Sequence, residues 1–257
     1  MRVPRLFPSL LMLALAVFAG GAMAQKTQLL VYTALETDQL KAYQEAFNKV
    51  EPNIEIKWVR DSTGVIIAKL LAEKANPQAD VIWGVAASGL ALFDQQGMLV
   101  PYAPLNLDAI MSQYRDKKNP PAWWGMDVYG ATVCFNTVEA QKKNIPKPDT
   151  WKDLLKPAYK GQVVMPNPAS SGTGYFDVVA WLQLWGDDNG KGGGWKYMDG
   201  LHENIAQYTH SGSKPCNMAA SSFFVPLWMA NASRSQPRPS LGNTRSIGAP
   251  LDLLLWA

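Results

Sequence analysis

The sequence predicts an α/β protein built as two lobes. Apolar strand-like runs alternate with amphipathic helical stretches three times before residue 97, and a second alternation starts between residues 130 and 150. Pro146-Lys147-Pro148 reads as a linker between elements at that point. Such alternation builds parallel or mixed sheets covered by helices.

Each element of the first half follows from its residues. Residues 29–33, Leu-Leu-Val-Tyr-Thr, form an apolar run suited to a strand buried on both faces. Thr37-Asp38 then caps a helix in which Leu40, Tyr43, Phe47 and Val50 recur at helical spacing, and Pro52-Asn53 ends it. Residues 54–59 alternate apolar and polar side chains and give the second strand. Asp61-Ser62-Thr63-Gly64 opens a helix carrying Ile66, Ile67, Leu70 and Leu71, which Asn76-Pro77 stops. Residues 80–83 are the third strand, and residues 88–95 a short helix closed by Gly97. In sheets of this kind ligands bind beyond the carboxyl ends of the strands. Residues 33–37, 60–64 and 83–88 occupy that position and are rich in small or hydroxyl side chains.

In the second half, residues 132–136 form a strand, and Thr150-Trp151 caps a helix running to Leu155. Residues 162–165 are a strand followed by the turn Pro166-Asn167-Pro168-Ala169-Ser170-Ser171-Gly172-Thr173-Gly174. Helices are expected over 175–185 and 195–205, separated by a polar, Gly-rich loop.

Composition narrows the function. The chain has 257 residues, 47% hydrophobic and 18% charged, which excludes a disordered polypeptide. Arg2 and Arg5 precede an apolar stretch at residues 6–18 and the small-residue pattern Ala22-Met23-Ala24, the layout of an export signal over residues 1–24. The mature chain would begin at Gln25 and reside in the periplasm. Without that segment the chain holds 22 basic and 21 acidic residues, a balance that argues against nucleic acid as a partner. Export leaves Cys134 and Cys216 free to pair, but they lie on distant segments, and separate buried thiols are the preferred reading.

Two constellations carry chemistry. Ser62-Thr63-Gly64 and Ser170-Ser171-Gly172-Thr173 each follow a strand and open a helix. Unpaired helix N-terminal amides, the helix dipole and side-chain hydroxyls together suit a phosphate, phosphonate, sulfonate or carboxylate. Simple N-capping explains the same residues without a ligand. Glu36, Asp61 and Trp83 sit at the strand ends of the first lobe, where a carboxylate and an aromatic face suit an ammonium group. Catalytic patterns are poor. The chain has two histidines, His202 and His210, and no Gly-x-Ser-x-Gly elbow. Gly186-Asp187-Asp188-Asn189-Gly190-Lys191-Gly192 lacks the spacing and the hydroxyl of a phosphate loop. Neither an enzyme nor a cofactor or resident metal is expected.

Several stretches resemble the periplasmic solute-binding proteins of ABC importers, in the branch that takes up ferric iron, polyamines and phosphonates. They are Leu30-Val31-Tyr32-Thr33, residues 77–83, Tyr129-Gly130-Ala131, Phe135-Asn136-Thr137, residues 148–155 with Pro148, Thr150, Trp151 and Leu154, and Lys160-Gly161-Gln162-Val163-Val164. The sequence from Val31 to Glu36 and the turn from Asn167 to Gly174 are most similar to proteins that bind 2-aminoethylphosphonate. The resemblance implies a two-lobed type II periplasmic-binding-protein fold with a hinge cleft. It also implies a monomeric receptor that captures a small anion and docks on an inner-membrane permease. The residues expected at the ligand are Thr33, Glu36, Ser62, Thr63, Gly64 and Trp83 from the first lobe, with Asn167, Ser170, Ser171, Gly172 and Thr173 from the second.

Ferric iron or a polyamine is the alternative cargo. Iron is ranked lower because Gly84-Val85-Ala86-Ala87-Ser88 supplies no acid after the third strand and no second-lobe tyrosine pair is visible. A secreted hydrolase using His202 or His210 is the alternative of another class. The family pattern breaks near residues 219–220. No acidic residue occurs from Ile205 to Leu251, and Arg, Ser and Pro dominate residues 232–240. The expected organisation is therefore a signal at 1–24, a first lobe at 25–130, a second at 131–220, and an atypical tail at 221–257. That tail is expected to be out of frame or disordered, which would leave the C-terminal part of the fold incomplete.

Overall fold

A computed structural model of the chain describes residues 26–219, 225–231 and 244–247. The expected signal segment lies outside the described residues, as does most of the atypical tail. Among the described residues, no helix is long and apolar enough to cross a membrane.

The first sheet contains β1 (Thr27–Thr33), β2 (Ile54–Arg60) and β3 (Val81–Trp83), in the order β2-β1-β3 and all parallel. The central strand carries the most apolar run, and its Val31, Tyr32 and Thr33 are buried. Helices α1 (Thr37–Val50), α2 (Thr63–Ala72) and α3 (Ala87–Gln95) connect or follow these strands. Tyr32, Ile66, Leu70, Val85 and Phe93 form the core of this lobe. Of the four apolar positions expected on α1, only Leu40 is buried, while Val50 at its end is 76% exposed.

The second sheet has the order β6-β5-β7-β4-β8. It comprises β4 (Tyr129–Asn136), β5 (Val163–Pro166), β6 (Ile205–Thr209), β7 (Val225–Asn231) and β8 (Thr244–Ile247). β5 runs parallel to β6 and β7, whereas β4 is antiparallel to β7 and β8, so this sheet is mixed. The two last strands fall within residues 221–257, so part of that stretch is described as strand. The remaining helices are α4 (Thr137–Lys142), α5 (Gly172–Trp185), α6 (Gly193–His202) and α7 (Lys214–Ala219). Leu154, Val163, Trp181, Tyr197 and Leu201 lie at the centre of the second core.

Residues 151–155 form the expected helix as a 3-10 segment, opened by a reciprocal capping box between Thr150 and Asp153. Two expectations change here. The helix expected to reach residue 205 stops at His202. There the buried Asn204 donates through Nδ2 to the carbonyls of Leu154 at 2.6 Å and Lys156 at 3.1 Å, which turns the chain into β6. Cys134 and Cys216 are joined in a disulfide, with Cα atoms 6.0 Å apart, where separate thiols were preferred. Packing of α7 against β4 brings together two cysteines that are 82 residues apart.

Candidate ligand-binding cleft

A cleft of about 870 Å³ opens between the two lobes. Its floor follows from the chain reversals after β1, β2, β3, β5 and β6. Ser62, Ala86 and Ser171 are the N-cap residues of α2, α3 and α5, and all three line the cleft. Three helix N-termini thus face one space, and their dipoles add positive potential there. Ser171 is buried, and its Oγ accepts from the Gly174 amide at 3.4 Å. Ser62 is only 5% exposed, and its Oγ has no hydrogen-bond partner among the described residues. A buried hydroxyl without a partner costs about 1–3 kcal/mol, which a ligand acceptor would recover.

Seven of the eleven expected site residues line this cleft: Glu36, Ser62, Thr63, Trp83, Ser171, Gly172 and Thr173. Glu36 is already occupied. Its Oε2 accepts from Arg60 Nη2 and its Oε1 from Ser213 Oγ, each at 2.7 Å. Trp83 packs at tilted angles against Tyr43 and Trp58, with ring centroids 5.1 and 5.3 Å away.

The other four expected residues hold the surrounding turns. Thr33 is fully buried, and its Oγ1 accepts from the Leu35 amide at 3.1 Å. Asn167 Oδ1 accepts from the Ala169 amide at 2.9 Å. Ser170 donates through Oγ to the His210 carbonyl at 3.1 Å, and its own carbonyl accepts from the Gly64 amide at 2.9 Å.

Sequence reasoning missed several wall residues. Ser211-Gly212-Ser213 follows β6 and lines the cleft, another small, hydroxyl-bearing turn at a strand end. The same pattern would have found it once β6 was recognised. Trp123 and Trp124 line the cleft, as do Asp127 and Tyr129. His210, considered only as a catalytic group, places Nε2 2.6 Å from Asp61 Oδ1 across the lobes.

Electrostatics follow these contacts. The hydrogen bond from His210 holds the Asp61 carboxyl below its usual range, against partial burial. Burial raises the Asp127 carboxyl. Burial pushes Tyr129 up to about 12, with Asp127 and Asp177 adding to the rise. Among the described residues, no group of three or more His, Cys, Asp or Glu is gathered for a metal ion. The arrangement offers a small ligand a cleft between two lobes, with helix N-termini and hydroxyls to hold an acceptor group.

Residues 76–247 match the profile of a family described as bacterial extracellular solute-binding protein. An uncharacterised protein of Haemophilus influenzae is 30% identical over 212 residues, covering 81% of this chain and 60% of that protein. A probable ABC transporter periplasmic-binding protein of Sinorhizobium fredii is 28% identical over 149 residues, 56% of this chain and 40% of its own length. Among solved structures, the periplasmic binding protein AfuA of Actinobacillus pleuropneumoniae, with fructose-6-phosphate bound, superposes with a TM-score of 0.72 at 30% identity. That likeness covers 79% of this chain and 64% of AfuA. Iron-bound HitA of Pseudomonas aeruginosa shares the fold, with a TM-score of 0.63 at 19% identity over 80% of this chain and 63% of HitA. The chain thus spans about three fifths of the length of the first of these curated relatives.

Proposed function

We propose that this chain, which belongs to the bacterial extracellular solute-binding protein family, is the periplasmic receptor of an ABC importer for a small solute bearing a phosphonate or phosphate group. The observation that carries the reading is the Ser62 hydroxyl, buried and without a hydrogen-bond partner among the described residues, where helix N-termini from both lobes meet. A tetrahedral oxyanion accepts hydrogen bonds in several directions at once, which suits hydroxyls and amides converging from two sides. The receptor performs no chemistry. The ligand is bound between the lobes, delivered to a membrane permease and released unchanged.

2-Aminoethylphosphonate is the leading ligand, in line with the sequence resemblance. A sugar phosphate is the second reading, favoured by the fructose-6-phosphate bound to AfuA. Both present the same kind of head group to the helix N-termini.

Titration of the purified chain, followed by tryptophan fluorescence, tests the proposal, since Trp83, Trp123 and Trp124 line the cleft. Saturable binding of 2-aminoethylphosphonate or fructose 6-phosphate, competed by neither spermidine nor ferric citrate, is the expected result. A folded sample that ignores both phosphorus compounds and binds ferric ion or spermidine would overturn it.

A further inference from the structure

Among the described residues, the charged groups around the cleft do not balance. Of these, Glu36, Asp38, Asp80 and Asp127 line it against one basic side chain, Arg60. Arg60 is committed to Glu36, and its Nε also donates to the Leu35 carbonyl at 2.9 Å. Asp80 Oδ2 accepts from the Leu30 amide at 2.7 Å, and Asp38 is exposed in the first turn of α1. Asp127 differs from these. It is half-buried, precedes β4, and has neither an ion pair nor a hydrogen bond among the described residues.

A half-buried carboxylate without a partner is costly, and a neutral hydroxyl offsets that cost less well than a cation. The walls of the same cleft include the rings of Trp83, Trp123, Trp124 and Tyr129. Aromatic faces attract ammonium groups and not anions. A ligand with only a dianionic head would therefore meet a surplus of negative charge away from the helix N-termini.

We infer that Asp127 is the specificity residue of the cleft and receives a ligand ammonium group, so that the ligand class is an aminoalkyl phosphonate or phosphate. This rests on the receptor reading above and deepens it. Burial that raises the Asp127 carboxyl is consistent with a site completed by a cation.

The test compares 2-aminoethylphosphonate, ethylphosphonate and fructose 6-phosphate by isothermal titration against the wild-type chain, Asp127→Asn and Asp127→Glu. Circular dichroism and thermal melts verify folding of each protein. Losing one desolvated charge pair typically weakens binding by about 30-fold or more. The expected result is such a loss for 2-aminoethylphosphonate in Asp127→Asn, partial recovery in Asp127→Glu, and ethylphosphonate binding that is weak in the wild type and not weakened further in Asp127→Asn. Equal weakening of both phosphonates, or no weakening, overturns the assignment of Asp127 while leaving the receptor reading intact. Preferential binding of fructose 6-phosphate overturns the ammonium assignment in the same way. Failure of the folded wild type to bind any of the three overturns the receptor reading itself and the inference with it. If Asp127→Asn misfolds, a wild type that binds ethylphosphonate as tightly as the amino compound overturns the inference, and a preference for the amino compound supports it.

Discussion

Ser62 serves folding with its backbone and is available to a ligand with its side chain. Its carbonyl accepts the first helical bonds of α2 from Val65 and Ile66 at 3.0 Å, while its buried Oγ has no partner among the described residues. Ser62→Ala should therefore leave the melting temperature of the unliganded protein unchanged or slightly higher. Affinity should fall by about 10- to 100-fold, the worth of one hydrogen bond to a charged group. A lower melting temperature with unchanged affinity would show the hydroxyl to be structural. Asp177, in α5, gives a contrasting case. Both of its carboxylate oxygens are buried without partners among the described residues, and burial raises its carboxyl well above the usual range. The folded state therefore binds a proton that the unfolded state releases as pH rises. Stability is highest below the unfolded carboxyl range and declines with rising pH until the folded group ionises. Asp177→Asn removes that decline. In urea melts it should be more stable than the wild type at pH 7, and the gap should close as pH falls into the unfolded carboxyl range. Ser62 was legible because a hydroxyl after a strand and before a helix has a small set of roles. Asp177 was not, since nothing in its local sequence reveals that the residues around it withhold a partner.

At the scale of elements, legibility depended on whether punctuation was local. The strands and helices of the first lobe are separated by Pro52-Asn53, Asp61-Ser62, Asn76-Pro77 and Gly97, and the observed boundaries agree within two residues except that α2 already ends at Ala72. In the second lobe the signal is tertiary. The turn into β6 is made by Asn204 reaching carbonyls about 50 residues away, which no window of sequence contains. The helix-like pattern in the sequence therefore continues through it and masks the hydroxyl turn that β6 delivers to the cleft. The disulfide is a further long-range feature, tying α7 to the central part of the second sheet through β4. Closing a loop of this size restricts the unfolded chain, and removing a native bridge typically costs about 2–5 kcal/mol. A Cys134→Ala/Cys216→Ala variant should unfold at correspondingly lower urea. Dithiothreitol should bring the wild type to the same midpoint and leave the variant unmoved. Coincident midpoints for oxidised wild type and variant would show that the bridge contributes nothing to stability.

At the scale of the molecule, the lobes meet through a few polar contacts around the cleft. The Gly64 amide donates to the Ser170 carbonyl, His210 meets Asp61, and Ser213 donates to Glu36. Exposed pairs such as Asp61 with His210 contribute little singly, at most about 1 kcal/mol. The lowered Asp61 carboxyl makes its share present above the usual carboxylate range and lost as pH falls through the folded value. Shape sets a stricter condition. A Cβ on Gly64 would lie 2.2 Å from the Ala169 carbonyl oxygen and 3.0 Å from Ser170 Cα, and neither backbone atom can swing aside as a side chain would. Glycine at this position lets the lobes touch. Gly64 lies in the first turn of α2, where alanine is at least as favourable for the helix. Gly64→Ala should thus preserve or raise the melting temperature of the unliganded protein and oppose only the approach of the lobes. Because apparent affinity scales with the fraction of molecules able to close, the dissociation constant should rise by about 100-fold. Small-angle scattering supplies the independent readout: the ligand-induced decrease in radius of gyration expected of the wild type should vanish in the variant. A variant that still contracts on saturation and binds as tightly as the wild type would show that the lobes close by a path that does not bring Gly64 against Ala169.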